Sequence, residues 1–365
     1  MRPLDRQFAE SIDGVSRALA EWTVSRLSER VPGFIERYGE SAWPLWKGEI
    51  VNRLQYLSEA VAADRPALFA HSVEWARAAF LAREMDLDDL AESLRALDET
   101  VQAELPAQIA ARASKVIAAG IEVACRPAPE SLAHGIESSL EHPGVDSARA
   151  RQYLNHLLER HQAKAVDVLL EAVKAGRTVP EVYETVVGPA LVEVGRMWHL
   201  NEATVADEHY VTAATQVAMA ALRGRLPRAE PNGMRVLASS VGGDLHDVGI
   251  RMVADLLESD GWQVECLGAN MPTSDLVDYL ADEDGSVPFQ LVALSASTGL
   301  AVRTIAGAVD AIRAATPDLK LPIMVGGGPF AAIPDLWKVV GADGCATSAT
   351  DAVRVARALV AARVS

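Results

Sequence analysis

The chain has 365 residues, half of them hydrophobic, and a formal net charge of −16 from 50 acidic and 34 basic residues. This length suffices for two or three domains with their own cores, and the composition is that of a globular protein. The negative charge opposes contact with phosphate backbones, so we expect no direct nucleic-acid binding. We also expect no membrane span, because no stretch approaches the roughly 18 apolar residues that one requires.

The cysteines and the N-terminus predict a cytoplasmic protein. Cys125, Cys266 and Cys345 have no CxxC spacing, which argues against a disulfide framework or a zinc–cysteine site. The first residues, "MRPLDRQFAESIDG", carry acidic side chains where a secretory signal has an apolar core.

Residues 1 to about 125 have the apolar spacing of helices, with breaks at prolines. The stretch "DLDDLAESLRALDETVQAEL" places acidic residues in a first turn, where they suit the helix dipole. "CRPAPES", residues 125–131, contains two prolines and is the best linker candidate. We therefore predict a helical N-terminal domain over residues 1–130.

The helical pattern continues from about 147 to 225. "DSARARQYLNHLLERHQAKAVDVLLEAVKAG" is predicted to form one helix that ends at Gly176, and two further helical segments follow. Short connections favour antiparallel neighbours. The sequence thus predicts a four-helix-bundle cap over residues 131–228.

After "PRAEPNG" five short strand-like runs alternate with five helical ones. This alternation predicts a Rossmann-like or flavodoxin-like doubly wound parallel sheet over residues 229–365, so that the whole chain is a multidomain α and α/β protein. Ligands of such sheets bind beyond the carboxyl ends of the strands. "SVGGDLHDVG", "SASTG" and "GGGPF" all fall there.

The first of these loops does not suit a dinucleotide. Its glycines, at 242, 243 and 249, lack the G-x-G-x-x-G spacing, and its aspartates would face a pyrophosphate. Asp244, two residues before His246, could instead accept one ring N–H and leave the other ring nitrogen for a metal. An ordinary hydrogen-bonded loop histidine is the alternative.

"DLHDVG", residues 244–249, matches the D-x-H-x-x-G signature of cobalamin-binding domains. These domains also carry a serine-containing second motif and a Gly-Gly third motif, which "SASTGL" and "GGG" resemble. "SASTGL" lacks the leucine of the usual S-x-L, so the sequence leaves open which serine fills the second motif. The resemblance implies that His246 ligates cobalt as the lower axial ligand while Asp244 holds its far nitrogen. The lower-face residues are then Asp244, His246, Gly249, Ser295, Ser297, Thr298, Gly326 and Gly327.

"VGRMWHLNEATVADEHYVTAA" resembles the upper-face module of CarH-type photoreceptors, which sense light with adenosylcobalamin. The resemblance implies that Trp198 and Val205 pack on the adenosyl group and that Glu208, followed by His209, hydrogen-bonds it. It also implies that His199 takes the upper cobalt position after light has cleaved the Co–C bond. Core packing is the ordinary alternative for a bundle tryptophan.

Residues 1–125 depart from the CarH-type pattern, because they are acidic and helical where those regulators begin with a basic winged helix. The layout resembles photocobilins, which hold biliverdin beside the cobalamin. No cysteine is suitably placed for attachment, so we expect any biliverdin to bind non-covalently. Propionates favour arginine, and flat pyrroles favour aromatic walls. A candidate pocket consists of Arg53, His71, Trp75 and Arg77.

Together these features predict a light-sensing adenosylcobalamin-binding protein that is not an enzyme. Photolysis would change the packing of the cap and the state of a homo-oligomer or of a bound protein partner. One alternative is a corrinoid carrier that shuttles methyl groups between methyltransferases, which "GDLHDVG" fits equally well. Another is a cobalamin-dependent antirepressor that sequesters a transcription factor.

Overall fold

The computed structural model describes residues 1–127 and 138–364, and the chain forms two compact units, Met1–Ile136 and Glu137–Ser365. Part of the predicted linker "CRPAPES" and the predicted domain boundary at residue 130 lie outside the described residues. None of the helices in the described ranges combines the length and the apolar character that a bilayer crossing requires.

The first unit is helical, as predicted, over the residues that the structure describes. The acidic stretch identified in the sequence begins a helix at Leu87, where Asp86 caps the N-terminus by accepting from the Asp88 N–H and two aspartates occupy the first turn. Another helix begins at Pro66, a position where the missing N–H costs nothing. Within residues 1–127 the helices are Pro3–Arg30 (α1), Phe34–Tyr38 (α2), Ala42–Ala63 (α3), Pro66–Ala82 (α4), Leu87–Glu104 (α5) and Ala107–Ala124 (α6).

The second unit begins with the cap helices. These are Ser147–Leu158 (α7), Gln162–Lys174 (α8), Val179–Val182 (α9), Gly188–His199 (α10) and Val205–Arg223 (α11), preceded by a 3₁₀ turn at Ser139–Glu141. Thr178 and Thr204 each form a capping box, which fixes where α9 and α11 begin. A π-helical turn, Tyr183–Val187, joins α9 to α10, so that α7, α8, α9–α10 and α11 form the four arms of the predicted bundle. The prediction of one continuous helix up to Gly176 is wrong, because the chain reverses at Arg160, whose φ is +62°, and forms α7 and α8 instead.

A five-stranded parallel sheet follows, in the order β2-β1-β3-β4-β5. This is the flavodoxin-like order, and it confirms the predicted doubly wound fold. The strands are Arg235–Val241 (β1), Gln263–Met271 (β2), Leu291–Ser295 (β3), Ile323–Gly326 (β4) and Gly344–Ala346 (β5). The helices are Val248–Ser259 (α12), Thr273–Asp278 (α13), Val302–Ala315 (α14), Gly328–Ala332 (α15), Leu336–Val339 (α16) and Ala349–Val364 (α17).

The cap packs on α12 of the sheet domain. Val248, Met252 and Leu256 of α12 belong to the same hydrophobic cluster as the buried side chains of the cap helices. Polar contacts also cross this boundary: the Tyr183 hydroxyl donates to Asp255 at 2.7 Å, Gln216 of α11 donates to Asp247 at 2.8 Å, and Arg223 of α11 pairs with Glu258. This packing brings α11 beside the loop that precedes α12.

Candidate functional site

The loop between β1 and α12 is held by the end of β2. Gly243 adopts a φ of +85°, which glycine tolerates and other residues rarely adopt. Its N–H donates to the Asn270 side chain at 2.7 Å, and the Asn270 N–H donates to the Asp244 carbonyl at 2.9 Å. At the far end of the loop, the buried Ser240 hydroxyl donates to the His246 carbonyl at 2.7 Å. The loop backbone is therefore fixed on both sides of Asp244.

Asp244 orients His246. The carboxylate is 5% exposed; its Oδ1 lies 2.9 Å from Nδ1 of His246 and accepts the His246 backbone N–H at 3.0 Å, while its Oδ2 accepts the Ser297 N–H at 2.5 Å. Because a carboxylate can only accept, Nδ1 carries the proton and Nε2 is left with its lone pair. The imidazole side chain is 58% exposed, so that nitrogen belongs to a ring open to ligands.

The electrostatics of this pair agree with its geometry. Burial raises the pKa of Asp244, but hydrogen bonds from His246 and Ser297 outweigh it and hold that pKa below its usual 3.8. The hydrogen bond to Asp244 raises the pKa of His246 above 6.5, against the opposing effect of burial. The pair is an ionised carboxylate beside a basic imidazole, the arrangement found behind histidines that ligate metals.

Glu208 lies on α11 of the cap. Its negative charge adds to the effect of Asp244 in raising the pKa of His246. Oε2 of Glu208 lies 2.7 Å from Nδ1 of His209, and Oε1 accepts from the Thr212 hydroxyl at 3.0 Å. The His209 side chain is 70% exposed and that of Glu208 only 20%, so the two neighbours point differently, as adjacent residues on a helix must.

Apolar side chains on these elements are unusually exposed. Leu245, next to His246, is 69% exposed, Trp198 near the end of α10 is 48% exposed, and Val205 at the start of α11 is 52% exposed. The rings of Trp198 and His199 are 6.5 Å apart. Trp198 is thus not a core residue of the bundle, and these side chains provide apolar surface for a large ligand.

The triple glycine after β4 serves close packing between two loops. A Cβ on Gly327, whose φ is +104°, would lie 2.0 Å from the Ala296 carbonyl oxygen, and one on Gly328 would lie 2.6 Å from that of Ser297. A Cβ on Gly326 would lie 3.0 Å from the Ala346 carbonyl oxygen of β5. Gly327 and Gly328 therefore let the loop "SASTG" approach the end of β4. Ser297 of this loop in turn donates its N–H to Asp244.

The remaining lower-face positions lie along the same sheet edge. Ser295, half-buried, pairs in the sheet with Ser240 and Gly326. Thr298 is exposed. A Cβ at Gly249 would meet nothing within 4 Å, so this first turn of α12 leaves open space beside the loop. The structure thus brings all of the predicted lower-face residues to one edge of the sheet, and the assignment of each to the cofactor stays a prediction.

Sequence reasoning missed Asn270 and Gln216, and it gave Asp247 of the "DLHDVG" motif no specific role. Gln216 and Arg251 bind the two oxygens of Asp247, at 2.8 and 2.7 Å, which ties the cap to the histidine loop. Asn270 has a φ of +55°, an uncommon conformation that asparagine tolerates. No sequence motif marks Asn270 or Gln216, because their partners lie in other elements.

The predicted bilin residues lie in the first unit. Arg53 is buried on α3 with Glu49 at 3.5 Å, and burial lowers its pKa. The guanidinium of Arg77 donates to the carbonyls of Val123, Ala124, Arg126 and Pro127 and so caps the end of α6. The exposed His71 accepts from Trp75 at 3.3 Å. Arg77 therefore has a structural role, and the bilin pocket stays a prediction.

Comparison with protein families addresses the ligand. Residues 234–357 match a family model described as "B12 binding domain", and residues 149–223 match a second model with the same description. These matches support cobalamin binding. The first region contains the whole sheet edge with His246, and the second contains Trp198, Val205 and Glu208.

Curated relatives span both of these regions. Dimethylamine corrinoid protein 3 of Methanosarcina acetivorans is 26% identical over 200 residues, which are 53% of this chain and 89% of that protein. Monomethylamine corrinoid protein 2 of the same organism is 24% identical over 207 residues, 55% of this chain and 93% of that protein. The solved monomethylamine corrinoid protein of Methanosarcina barkeri, 22% identical, aligns with a TM-score of 0.50 over 58% of this chain and 98% of that chain, which shows a shared fold.

Proposed function

We propose that this protein is a corrinoid carrier, which binds cobalamin through His246 and presents it to methyltransferases. The Asp244–His246 pair carries the proposal, because its tautomer leaves a lone pair on an exposed imidazole. Relatives that are named corrinoid proteins of methylamine systems, and that align over about nine-tenths of their length, support it.

The residues present fit a corrinoid. His246 offers one neutral nitrogen donor, Gly249 leaves open space in the first turn of α12, and Trp198, Val205 and Leu245 expose apolar surface that a macrocycle would cover. A bound corrinoid supplies a cobalt ion that takes up and gives away a methyl group. The chain's own part is to hold the cofactor and to limit access of water, so the reaction chemistry would reside in the partner enzymes.

An adenosylcobalamin light sensor is the second candidate, and Glu208 favours it. Glu208 is mostly buried and accepts from Thr212, and Val205 lies one turn before it on the same side of α11. That arrangement suits a polar group attached above the corrin. Biliverdin as a second chromophore, the antirepressor role and a homo-oligomer stay predictions from the sequence.

The ligation of cobalt by His246 can be tested by isotopic labelling. The full chain, prepared with ¹⁵N-histidine and loaded with unlabelled cobalamin, is reduced to the Co(II) state and examined by electron paramagnetic resonance. A histidine ligand gives doublet nitrogen splitting, whereas the cofactor's own base gives a triplet. We expect the doublet, and a triplet would overturn the assignment.

A matched pair of variants completes this test. His246→Ala should fail to retain hydroxocobalamin through gel filtration, while His142→Ala, which changes an exposed imidazole outside the predicted site, should retain it. Equal retention by wild type and His246→Ala would contradict the role of His246.

Light distinguishes the two candidate functions. The chain is loaded with adenosylcobalamin in the dark, and its gel-filtration profile is compared before and after green light. The carrier function predicts an unchanged elution volume, together with methyl uptake from a methylating reagent by the reduced hydroxocobalamin form. A light-dependent change of elution volume without methyl uptake would instead establish the sensor.

A further inference from the structure

The turn between α7 and α8 gathers three side chains that ligate metals. His156, Glu159 and His161 each offer one ligand atom, and these atoms all lie within 4.8 Å of one another. Oε2 of Glu159 is 3.2 Å from Nδ1 of His161 and 4.0 Å from Nδ1 of His156. None of the three belongs to the residues assigned above to the corrinoid.

The local backbone produces this cluster. His156 lies in the last turn of α7, and His161 precedes the first residue of α8. Arg160 between them adopts a φ of +62°, which reverses the chain, and the His161 N–H donates to the His156 carbonyl at 2.7 Å. The turn therefore folds the second histidine back towards the first, and their ring centroids are 6.4 Å apart.

His156 supplies an independent observation. Its Nδ1 atom is buried and has no hydrogen-bond partner in the part of the chain that the structure describes. Buried polar atoms in proteins are almost always partnered, and an unpartnered one calls for an explanation such as a bound ion. A cation between the three side chains would satisfy this nitrogen together with Glu159.

We propose that His156, Glu159 and His161 bind a divalent transition-metal ion such as Zn²⁺. Two imidazole nitrogens and one carboxylate oxygen form a donor set typical of zinc, whereas Mg²⁺ and Ca²⁺ prefer oxygen ligands. Zinc bonds of about 2.0–2.2 Å in a tetrahedron place ligand atoms roughly 3.4 Å apart. The two separations from Glu159, 3.2 and 4.0 Å, bracket that value, and the two histidine nitrogens lie within 4.8 Å of each other, so side-chain rotations can bring the three atoms around one ion.

The site would stabilise the part of the cap that meets the cofactor region. Arg160, inside the turn, lies with its guanidinium 5.4 Å from the centroid of the Tyr210 ring and donates to Asp207 at 3.4 Å. Both partners lie on α11, the helix that carries Val205 and Glu208. Metal binding would therefore fix the turn against α11. The proposal does not depend on the proposed function, because it concerns only residues of the cap.

Zinc stoichiometry tests the site. The full chain, stripped with a chelator, is dialysed against Zn²⁺ and the bound metal is measured, together with its affinity by competition with a chromophoric chelator. The variants His161→Ala and Glu159→Gln change exposed side chains, so they should fold. The control His142→Ala removes an exposed histidine outside the cluster.

We expect wild type and His142→Ala to bind one more equivalent of Zn²⁺ than His161→Ala. Loss of a ligand should weaken binding by at least about tenfold, the lower end of what even an outer-shell contact contributes. Zn²⁺ should also raise the thermal unfolding midpoint of wild type but not of His161→Ala. Equal stoichiometry and affinity in wild type, His161→Ala and Glu159→Gln would overturn the proposal.

Discussion

The arginines that stabilise the first unit and the Asp244–His246 pair of the second unit have different roles. In the first unit, Arg112 donates to both Asp5 and Asp64, and Arg77 donates to the carbonyls at the end of α6. These guanidinium groups therefore connect the helices of this unit and stabilise its fold. In the second unit, Asp244 accepts hydrogen bonds from His246 and from the Ser297 N–H. It thereby orients His246, whose second ring nitrogen stays available for a ligand. The difference suggests a criterion for a binding residue: the protein holds the side chain through one polar atom and leaves another polar atom free for a ligand.

The first prediction concerns Gly327, which lets the loop containing Ser297 approach β4 and so supports the hydrogen bond to Asp244. Gly327→Ala should cost more than about 3 kcal/mol of unfolding free energy, because the new Cβ would lie 2.0 Å from a carbonyl oxygen at a strained positive φ. Chemical denaturation, followed by circular dichroism, measures the loss.

Gly243→Ala is the matched control. It also has a positive φ, but its Cβ would meet nothing within 4 Å, so about 1–3 kcal/mol of backbone strain is expected and no steric clash. Equal losses in the two variants would show that packing between the β3 and β4 loops does not support the site.

The second test concerns the orienting carboxylate. Asp244→Asn should weaken the binding of hydroxocobalamin by about 10–100-fold, because an amide cannot accept all three N–H groups that Asp244 now accepts. Absorbance titration gives the affinity. Asp275→Asn, at an exposed position on α13, should bind like wild type. Unchanged affinity in Asp244→Asn would mean that His246 needs no orienting partner.

The third test examines the first unit. Arg77→Met should cost about 1–3 kcal/mol of stability, because it leaves carbonyls at the end of α6 without a donor. Arg83→Met, at an exposed position, should be nearly neutral. If Arg77→Met abolished binding of added biliverdin while stability was unchanged, Arg77 would be a ligand residue and the contrast between the units would fail.

The smallest expected effect is the pH dependence of an ion pair in the cap. Burial raises the pKa of Glu193, but hydrogen bonds from Arg196 and Ser139 outweigh it and hold that pKa below 4.5. Since the folded-state pKa is the lower one, the pair stabilises the fold above pH 4.5 and this contribution is lost as the pH falls further. Glu193→Gln should therefore lose less stability than wild type on acidification.

Thermal unfolding between neutral pH and about pH 3 measures this difference, over the range in which carboxylates of this kind titrate. Glu171→Gln, at an exposed position of α8, is the control and should follow wild type. Parallel pH profiles for wild type and Glu193→Gln would contradict the stabilising role of the pair.

The sequence predicted the elements whose signals are local. Strand-like runs that alternate with helical ones predicted the parallel sheet, and "DLHDVG" predicted where His246 and Asp244 would meet, because the two residues are only two positions apart. The close approach of Gly327 to Ala296 and the capping role of Arg77 depend on residues distant in sequence. The short helix Gly328–Ala332 was missed because it begins with Gly-Pro, which reads as a turn.

The π-helical turn at Tyr183–Val187 has a consequence for how the cap could change in evolution. It places one more residue in a turn than an α-helix would, immediately before α10. Removing that residue would let the turn revert to α-helix, and the residues that follow would keep about their present orientation. A deletion within α10 itself, where the helix is regular, would instead rotate Trp198 and His199 by about 100° around the helix axis. The turn is therefore a place where the cap could lose one residue without reorienting its exposed aromatic face.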